Sequence, residues 1–288
     1  MKQTRFRAYQ LKNKGSSFSY FDGEHFTLIE ARLTEHSEVS LDEELKECGL
    51  NRIHTLHITS WDEDHCHKSE LEKILEKYQP KVIEYPGYAP STEKGKACET
   101  IIRQSQYTDQ KISCSQSYIY GLSPAILNSI INVLYSIPSN FKNGGCNDES
   151  TIKFFRSGDF TVLSLGDLES EGIAEILCRC PILCNEVDVM ILAHHGANNG
   201  FTNDTFLKAI KPSVAICSSN YDNQFDHPRQ EIRDLLYNNK IDLYTTKTGD
   251  VIIISKSPNV FEVSNFIQSN QNPEPNTKKQ YQTKRSKF

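Results

Sequence analysis

The hydrophobic positions fall into short runs that switch between a two-residue and a helical period. Residues 3–10, 17–21 and 25–31 read as strands, and the Asp22–Gly23 step between the last two is a hairpin signal. A short apolar strand at 53–58 leads to a helix at 68–77, with Leu71, Ile74 and Leu75 on one face. Strand 81–85 is closed by Pro86–Gly87, and a helix near 95–105 returns to a weaker strand near 112–119. The second half resembles the first in element order. Strands 151–156 and 160–165 flank the turn Ser157–Gly158–Asp159, and helix 171–179 leads to strand 188–192. Helix 203–210, strand 213–217, helix 229–237 and strands 241–245, 251–255 and 259–264 complete the series. Hairpins followed by strands separated by helices, twice over, predict two mixed sheets packed together with helices outside. That is a four-layer α/β arrangement in one domain over residues 1–267.

Two segments stand apart. At 123–137, Ser123 can cap and Pro124 suits a first helical turn. Ala125, Ile126, Ile130, Ile131, Val133, Leu134 and Ile137 then make a strongly apolar helix, packed on the core or serving as a lid, a dimer contact or a docking site for a protein partner. Residues 268–288 carry almost no apolar side chains and five basic residues against Glu274, which leaves +4. This stretch reads as a disordered basic tail, either a solubilising end or an electrostatic arm for nucleic acid or another acidic partner.

The chain of 288 residues is 37% hydrophobic and 24% charged, an ordinary globular composition. Its apolar runs are too short to span a membrane, and no apolar stretch follows the basic start, so a cytoplasmic protein is expected. Nine scattered cysteines fit reduced thiols. The net charge of −5 argues against coating nucleic acid with the whole surface, though not against acting on it locally.

Acids and imidazoles gather at strand ends. The first group is His57-Ile58-Thr59-Ser60-Trp61-Asp62-Glu63-Asp64-His65, where a tight loop can converge Asp62, Asp64 and His65. Asp167 stands at the tip of an apolar strand in Gly166-Asp167-Leu168-Glu169, and its two oxygens can bridge two cations. His194 and His195 follow another apolar strand, and His227 precedes Pro228 and a helix. Together Asp62, Asp64, His65, Asp167, His194 or His195, and His227 offer donors for two cations. The spacing of Cys178, Cys180 and Cys184 does not make a paired knuckle.

In this order the motifs resemble the metallo-beta-lactamase superfamily, and within it the hydrolase domain of the ComEC/Rec2 DNA-uptake family and its stand-alone relatives. That branch carries Ser-x-Asp-x-Asp-His, matched by Ser60, Asp62, Asp64 and His65. Asn147 and Ser150 match its Asn-x-x-Ser, Gly166 to Glu169 its Gly-Asp-Leu-Glu, and His194 to Gly196 its His-His-Gly. Lys211, Pro212, Val214, Ala215 and Ile216 match a Lys-Pro-x-Val-Ala-Ile strand, and His227–Pro228 its His-Pro. The series covers about residues 50–255. There are departures: Ser16 stands where the family's first turn has Asp, Glu30 ends a strand that usually ends in Asp, and Cys66-His67-Lys68 replaces a Gly-Gly.

The resemblance implies an αββα metallo-beta-lactamase sandwich with a dinuclear metal site at one edge, hydrolysing phosphodiesters. It implies Asp64, His65 and Asp167 as ligands, with Asp62 completing the other site beside Asp167 and one of the paired histidines, His195 preferred. The other histidine would contact phosphate or protonate the leaving oxygen, and His227 is either the last ligand or a substrate contact. A carboxylate-rich site favours Mn2+ for activity, with Zn2+ as the alternative. DNA is the expected substrate and a nuclease the expected enzyme. A small or cyclic nucleotide phosphodiesterase is the runner-up, and a catalytically degenerate binding module is the third reading. Relatives in bacterial antiviral defence systems suggest a setting for any of them.

Overall fold

The computed structural model describes residues 3–114, 145–267 and 275–287. Nine strands form one sheet. Its antiparallel part contains β1 (Arg5–Ala8), β2 (Phe18–Phe21) and β3 (Phe26–Ile29). Parallel to β3 run β4 (Thr55–His57), β5 (Val82–Pro86) and β6 (Gln110–Cys114). The second sheet has β7 (Lys153–Phe155), β8 (Val162–Ser164), β9 (Val189–Ile191), β10 (Val214–Cys217) and β11 (Asp242–Thr245). Only β7 runs antiparallel to its neighbour there. The chain then returns to the first sheet as β12 (Val251–Ser257), β13 (Val260–Phe266) and β14 (Pro275–Gln282), giving the order β14-β13-β12-β1-β2-β3-β4-β5-β6.

The two-residue period of the strands divides three cores. Phe6, Ala8, Val162, Val189, Ile191, Val214 and Ile216 meet between the sheets. Leu163, Met190, Ala215 and Cys217 point the other way, against α4 (Glu171–Cys178), α5 (Pro181–Glu186), α6 (Asp204–Ile210) and α7 (Gln230–Asn238). Behind the large sheet, Leu28, Leu56 and Ile83 pack with residues of α1 (Glu35–Glu47), α2 (Lys68–Tyr78) and α3 (Glu93–Gln104). Helices thus cover both outer faces, and the expected four-layer αββα metallo-beta-lactamase sandwich is the architecture observed.

Helix α1 lies where the sequence reading placed no element. Its buried face is Ser37, Ser40, Leu41, Glu44 and Leu45, so it shows no apolar stripe. The face is polar because it covers buried arginines: Arg5 makes two hydrogen bonds to the Glu44 carboxylate, at 2.6 and 2.9 Å. A Thr34–Ser37 capping box starts the helix.

The stretch 268–288 was expected to be a disordered tail, yet residues 275–282 form β14 against β13. Tyr281 stacks on Phe261 at 5.3 Å and donates a hydrogen bond to Asp242 at 2.8 Å. Lys278 pairs with Glu262 at 3.2 Å and Arg285 with Glu186 at 3.3 Å. Composition hid this strand because one aromatic and complementary charges on the acidic body hold it. The helix expected at 123–137 lies outside the described residues. Among the described residues, no helix is long and apolar enough to cross a membrane.

Candidate metal centre

The site forms where strands of both sheets end side by side. After β4 the backbone turns once, with the N–H groups of His65 and Cys66 both donating to the Asp62 carbonyl, at 2.9 and 2.8 Å. Asp64 and His65 leave this turn together. Two segments outside the turn pin it, one before β2 and one after β3: Ser16 N–H donates to the Asp64 carbonyl at 2.9 Å, and Ala31 N–H to the His65 carbonyl at 2.8 Å. Past β8, Gly166 takes φ +55°, and Asp167 N–H donates to the Ser150 hydroxyl at 3.1 Å. Past β9, His194 and His195 hold φ values of 44° and 51°. Such left-handed backbone is uncommon for residues with a Cβ, and it persists here because the surrounding packing fixes it.

Ligand atoms of Asp64, His65, Asp167 and His195 lie within 4.8 Å of one another. His65 Nε2 is 3.0 Å from Asp167 Oδ1 and 4.0 Å from Asp64 Oδ1. His195 Nε2 is 3.5 Å from Asp64 Oδ2 and 3.9 Å from Asp167 Oδ1. The opposite ring nitrogens are engaged. Nδ1 of His65 faces Glu30 at 3.1 Å, and Nδ1 of His195 lies 2.9 Å from the Ser218 carbonyl. Both Nε2 atoms are buried, and neither makes a well-aligned hydrogen bond to the carboxylates it faces. Imidazoles anchored through Nδ1, with bare Nε2 atoms aimed at two carboxylates, fit a divalent cation.

The electrostatics agree. Burial opposes protonation of His65, but Asp167 and Glu30 outweigh it and raise its pKa well above the usual histidine value. His195 is raised in the same way, by Asp167 and Asp64 against burial. Burial would lift the Asp64 and Asp167 carboxyls, yet the facing imidazoles hold both below the ordinary range. Four groups so coupled share charge that one cation would balance.

The remaining expected residues surround this group without joining it. Asp62 accepts a hydrogen bond from the Ser60 hydroxyl at 3.2 Å. His194 Nδ1 sits 2.7 Å from Glu169 Oε1, which also accepts from Asn147 at 3.0 Å. His227 stacks on His195 at 6.3 Å, and burial beside His195 and His194 lowers its pKa to about 4. Ser150, matched by motif, supports the Asp167 backbone.

Some supports escaped the sequence reading. The Asp148 carboxylate accepts from the N–H groups of Glu169 and Ser170, at 2.9 and 2.8 Å. Thr59 donates its hydroxyl to Glu30 at 2.6 Å. The Ser218 anchor is a backbone carbonyl, which no residue type can announce. Asp148 was findable, since it lies inside the Asn147–Ser150 match.

No family model matches the chain. It is 23% identical to the ComE operon protein 3 of Bacillus subtilis over 205 residues, 71% of this chain and 25% of that protein. It is 29% identical to the Competence protein ComA of Neisseria gonorrhoeae over 109 residues, 38% of this chain and 16% of that one. The chain therefore spans a quarter or less of the length of these curated relatives. Among solved structures, a mutant of the CmlA beta-hydroxylase superposes with a TM-score of 0.51 at 10% identity, covering 88% of this chain and 54% of that one. The metallo-beta-lactamase fold protein YhfI from Bacillus subtilis gives 0.47 at 9% identity, covering 87% of this chain and all of that one. The ComEC-like resemblance read from the motifs is borne out. The chain has the metallo-beta-lactamase fold, with a group of residues suited to a divalent metal.

Proposed function

We propose that this chain is a metal-dependent phosphodiester hydrolase acting on DNA. The observation that carries the reading is the convergence of the bare Nε2 atoms of His65 and His195 on the carboxylates of Asp64 and Asp167. A cation held by these four residues would supply a water activated near neutral pH and a Lewis acid for a phosphoryl oxygen. The carboxylates of Asp64 and Asp167 would hold it, and Glu30 and the Ser218 carbonyl keep the imidazoles aimed. His194, held by Glu169 at 2.7 Å, would give a proton to the leaving oxygen. His227, neutral near pH 7, contacts the substrate. Asp62 and the second oxygen of Asp167 are the donors left for a second cation. Mn2+ is the activity metal we favour, because half of the donor set is carboxylate, with Zn2+ next.

DNA as substrate is supported by the ordered motif series, which resembles that of a DNA-uptake family, and by the likeness to the ComE operon protein 3 and the Competence protein ComA. A small or cyclic nucleotide phosphodiester is the second reading, favoured by the net charge of −5 and by a cavity of about 110 Å3 at the site.

The test is metal-stripped protein incubated with single-stranded and double-stranded DNA, with Mn2+, Zn2+ or Mg2+ added back and Asp167→Ala beside it. Metal-dependent cleavage lost in the variant supports the reading. Turnover of cyclic dinucleotides alone supports the second. Metal binding without turnover of any phosphodiester points to a degenerate binding module.

A further inference from the structure

We propose that Phe225 is a base-stacking residue, and that the DNA taken by the metal centre is single-stranded, with one unpaired base seated on that ring. The inference rests on the phosphodiester reading above and narrows its substrate.

The segment between β10 and α7 walls the cleft that opens at the metal group. The cavity there is lined by Lys14, Asp64, His195, Phe225 and His227 among others. Three of these side chains form a file of nearly parallel rings. His195 and His227 are 6.3 Å apart at 15°, and His227 and Phe225 are 5.6 Å apart at 21°. The inner end is a candidate metal ligand. The outer end is a phenylalanine that is 55% exposed, on the same loop as Tyr221, which is 74% exposed. A Phe held in line by the stack behind it leaves an apolar ring surface toward solvent, and an aromatic ligand that covers it gains both burial and ring contact.

Charge does not provide an alternative grip. Lys14 and Asp222 both line the cavity, and beside it Asp226 pairs with Arg233 at 3.7 Å and Arg229 with Glu231 at 3.9 Å, so the wall is no basic track for a long backbone. Arg229 donates to the Phe225 carbonyl at 3.3 Å, which braces the loop. What the wall offers is a π-face beside the place where a phosphodiester would meet the cation. Every nucleobase has a face that can use it, but in a duplex those faces are already stacked.

The test is binding of two labelled phosphorothioate 12-mers, thymidine and abasic, to the full metal-loaded chain, read by fluorescence anisotropy. The shared backbone cancels the charge contribution. We expect the thymidine probe to bind about tenfold more tightly. Phe225→Ala should erase that difference and Phe225→Trp should keep it, with thermal stability and metal affinity unchanged in both. Equal affinity for the two probes overturns the proposal, as does a preference that survives Phe225→Ala or tighter binding of a duplex 12-mer. If the probes bind equally while unmodified DNA is cleaved, stacking falls and the hydrolase reading stands. If neither probe binds and nothing is cleaved, both fall.

Discussion

Glu30 Oε1 lies 3.1 Å from His65 Nδ1, and this contact decides which nitrogen His65 turns to the metal group. The carboxylate is itself fixed, accepting from the Thr59 N–H at 3.0 Å and the Thr59 hydroxyl at 2.6 Å. Glu30 holds φ +71°, so its position is set by the ends of β3 and β4 and not by local preference. Anchors of this kind typically contribute about 10- to 100-fold in metal affinity. Glu30→Gln should weaken metal binding by about that factor while the metal-free protein keeps its far-UV spectrum. Chelator competition measures it, and wild-type affinity in the variant would remove Glu30 from the site.

Protons and a cation compete for the same nitrogens. The raised pKa values of His65 and His195 mean that metal must displace protons from both rings. Metal affinity should therefore climb as pH rises above 6, with up to about two protons released per site. The metal-free protein should show the reverse trend in stability. Each imidazole has a folded pKa above its unfolded 6.5, so its contribution is complete below 6.5 and fades as pH rises through the folded value. Calorimetry in buffers of different ionisation enthalpy gives the proton count; zero protons released would contradict the geometry.

Much of this was legible because it depends on residue type. Strand ends marked by Asp167 and by His194–His195 could be read from apolar runs that stop at a titratable group. The layers followed from strand period and element order. What could not be read depends on partners distant in sequence. Helix α1 buries Glu44 because Arg5 lies beneath it, and β14 is held by Asp242 and Glu262 of the body. The four-residue group was expected within a larger set, but only the turn and strand geometry separates Asp64 from Asp62. Two acids in one loop look alike until the backbone decides which one faces Asp167.

Away from the site, a buried network joins the two sheets. Glu84 Oε2 lies 2.8 Å from His57 Nδ1 and 2.5 Å from Lys153 Nζ. Burial would raise the Glu84 carboxyl, but Lys153 and His57 bring it down to about 2. Glu84→Ala leaves Lys153 buried and unpaired, and should cost about 3–5 kcal/mol of stability. The pH dependence has a fixed sign. Burial lowers the His57 pKa, so its contribution fades as pH falls below 6.5, and that of Glu84 fades between about 4.5 and 2. Denaturant titrations of the wild type and of Glu84→Ala at pH 7, pH 5 and about pH 3 test these claims. A loss under 1 kcal/mol would show that Lys153 finds another partner or water.

Gly166 offers a way to move Asp167 without touching its carboxylate. Its φ of +55° is a conformation that costs a residue with a Cβ about 1–2 kcal/mol. A Cβ there would also stand 2.7 Å from Ser150 Cβ and 3.0 Å from Ser150 Oγ. That hydroxyl accepts the Asp167 N–H, so relief of the clash must shift the support of the Asp167 carboxylate. Gly166→Ala should therefore lose more metal affinity than global stability. The readout is the rise in melting temperature on adding metal, which scales with occupancy of the native state. In the wild type saturating Mn2+ should raise the transition; in Gly166→Ala most of that rise should vanish, while the metal-free transition falls by only a few degrees. If the rise survives intact, Asp167 tolerates displacement and the geometry of the group is looser than the packing around Gly166 implies.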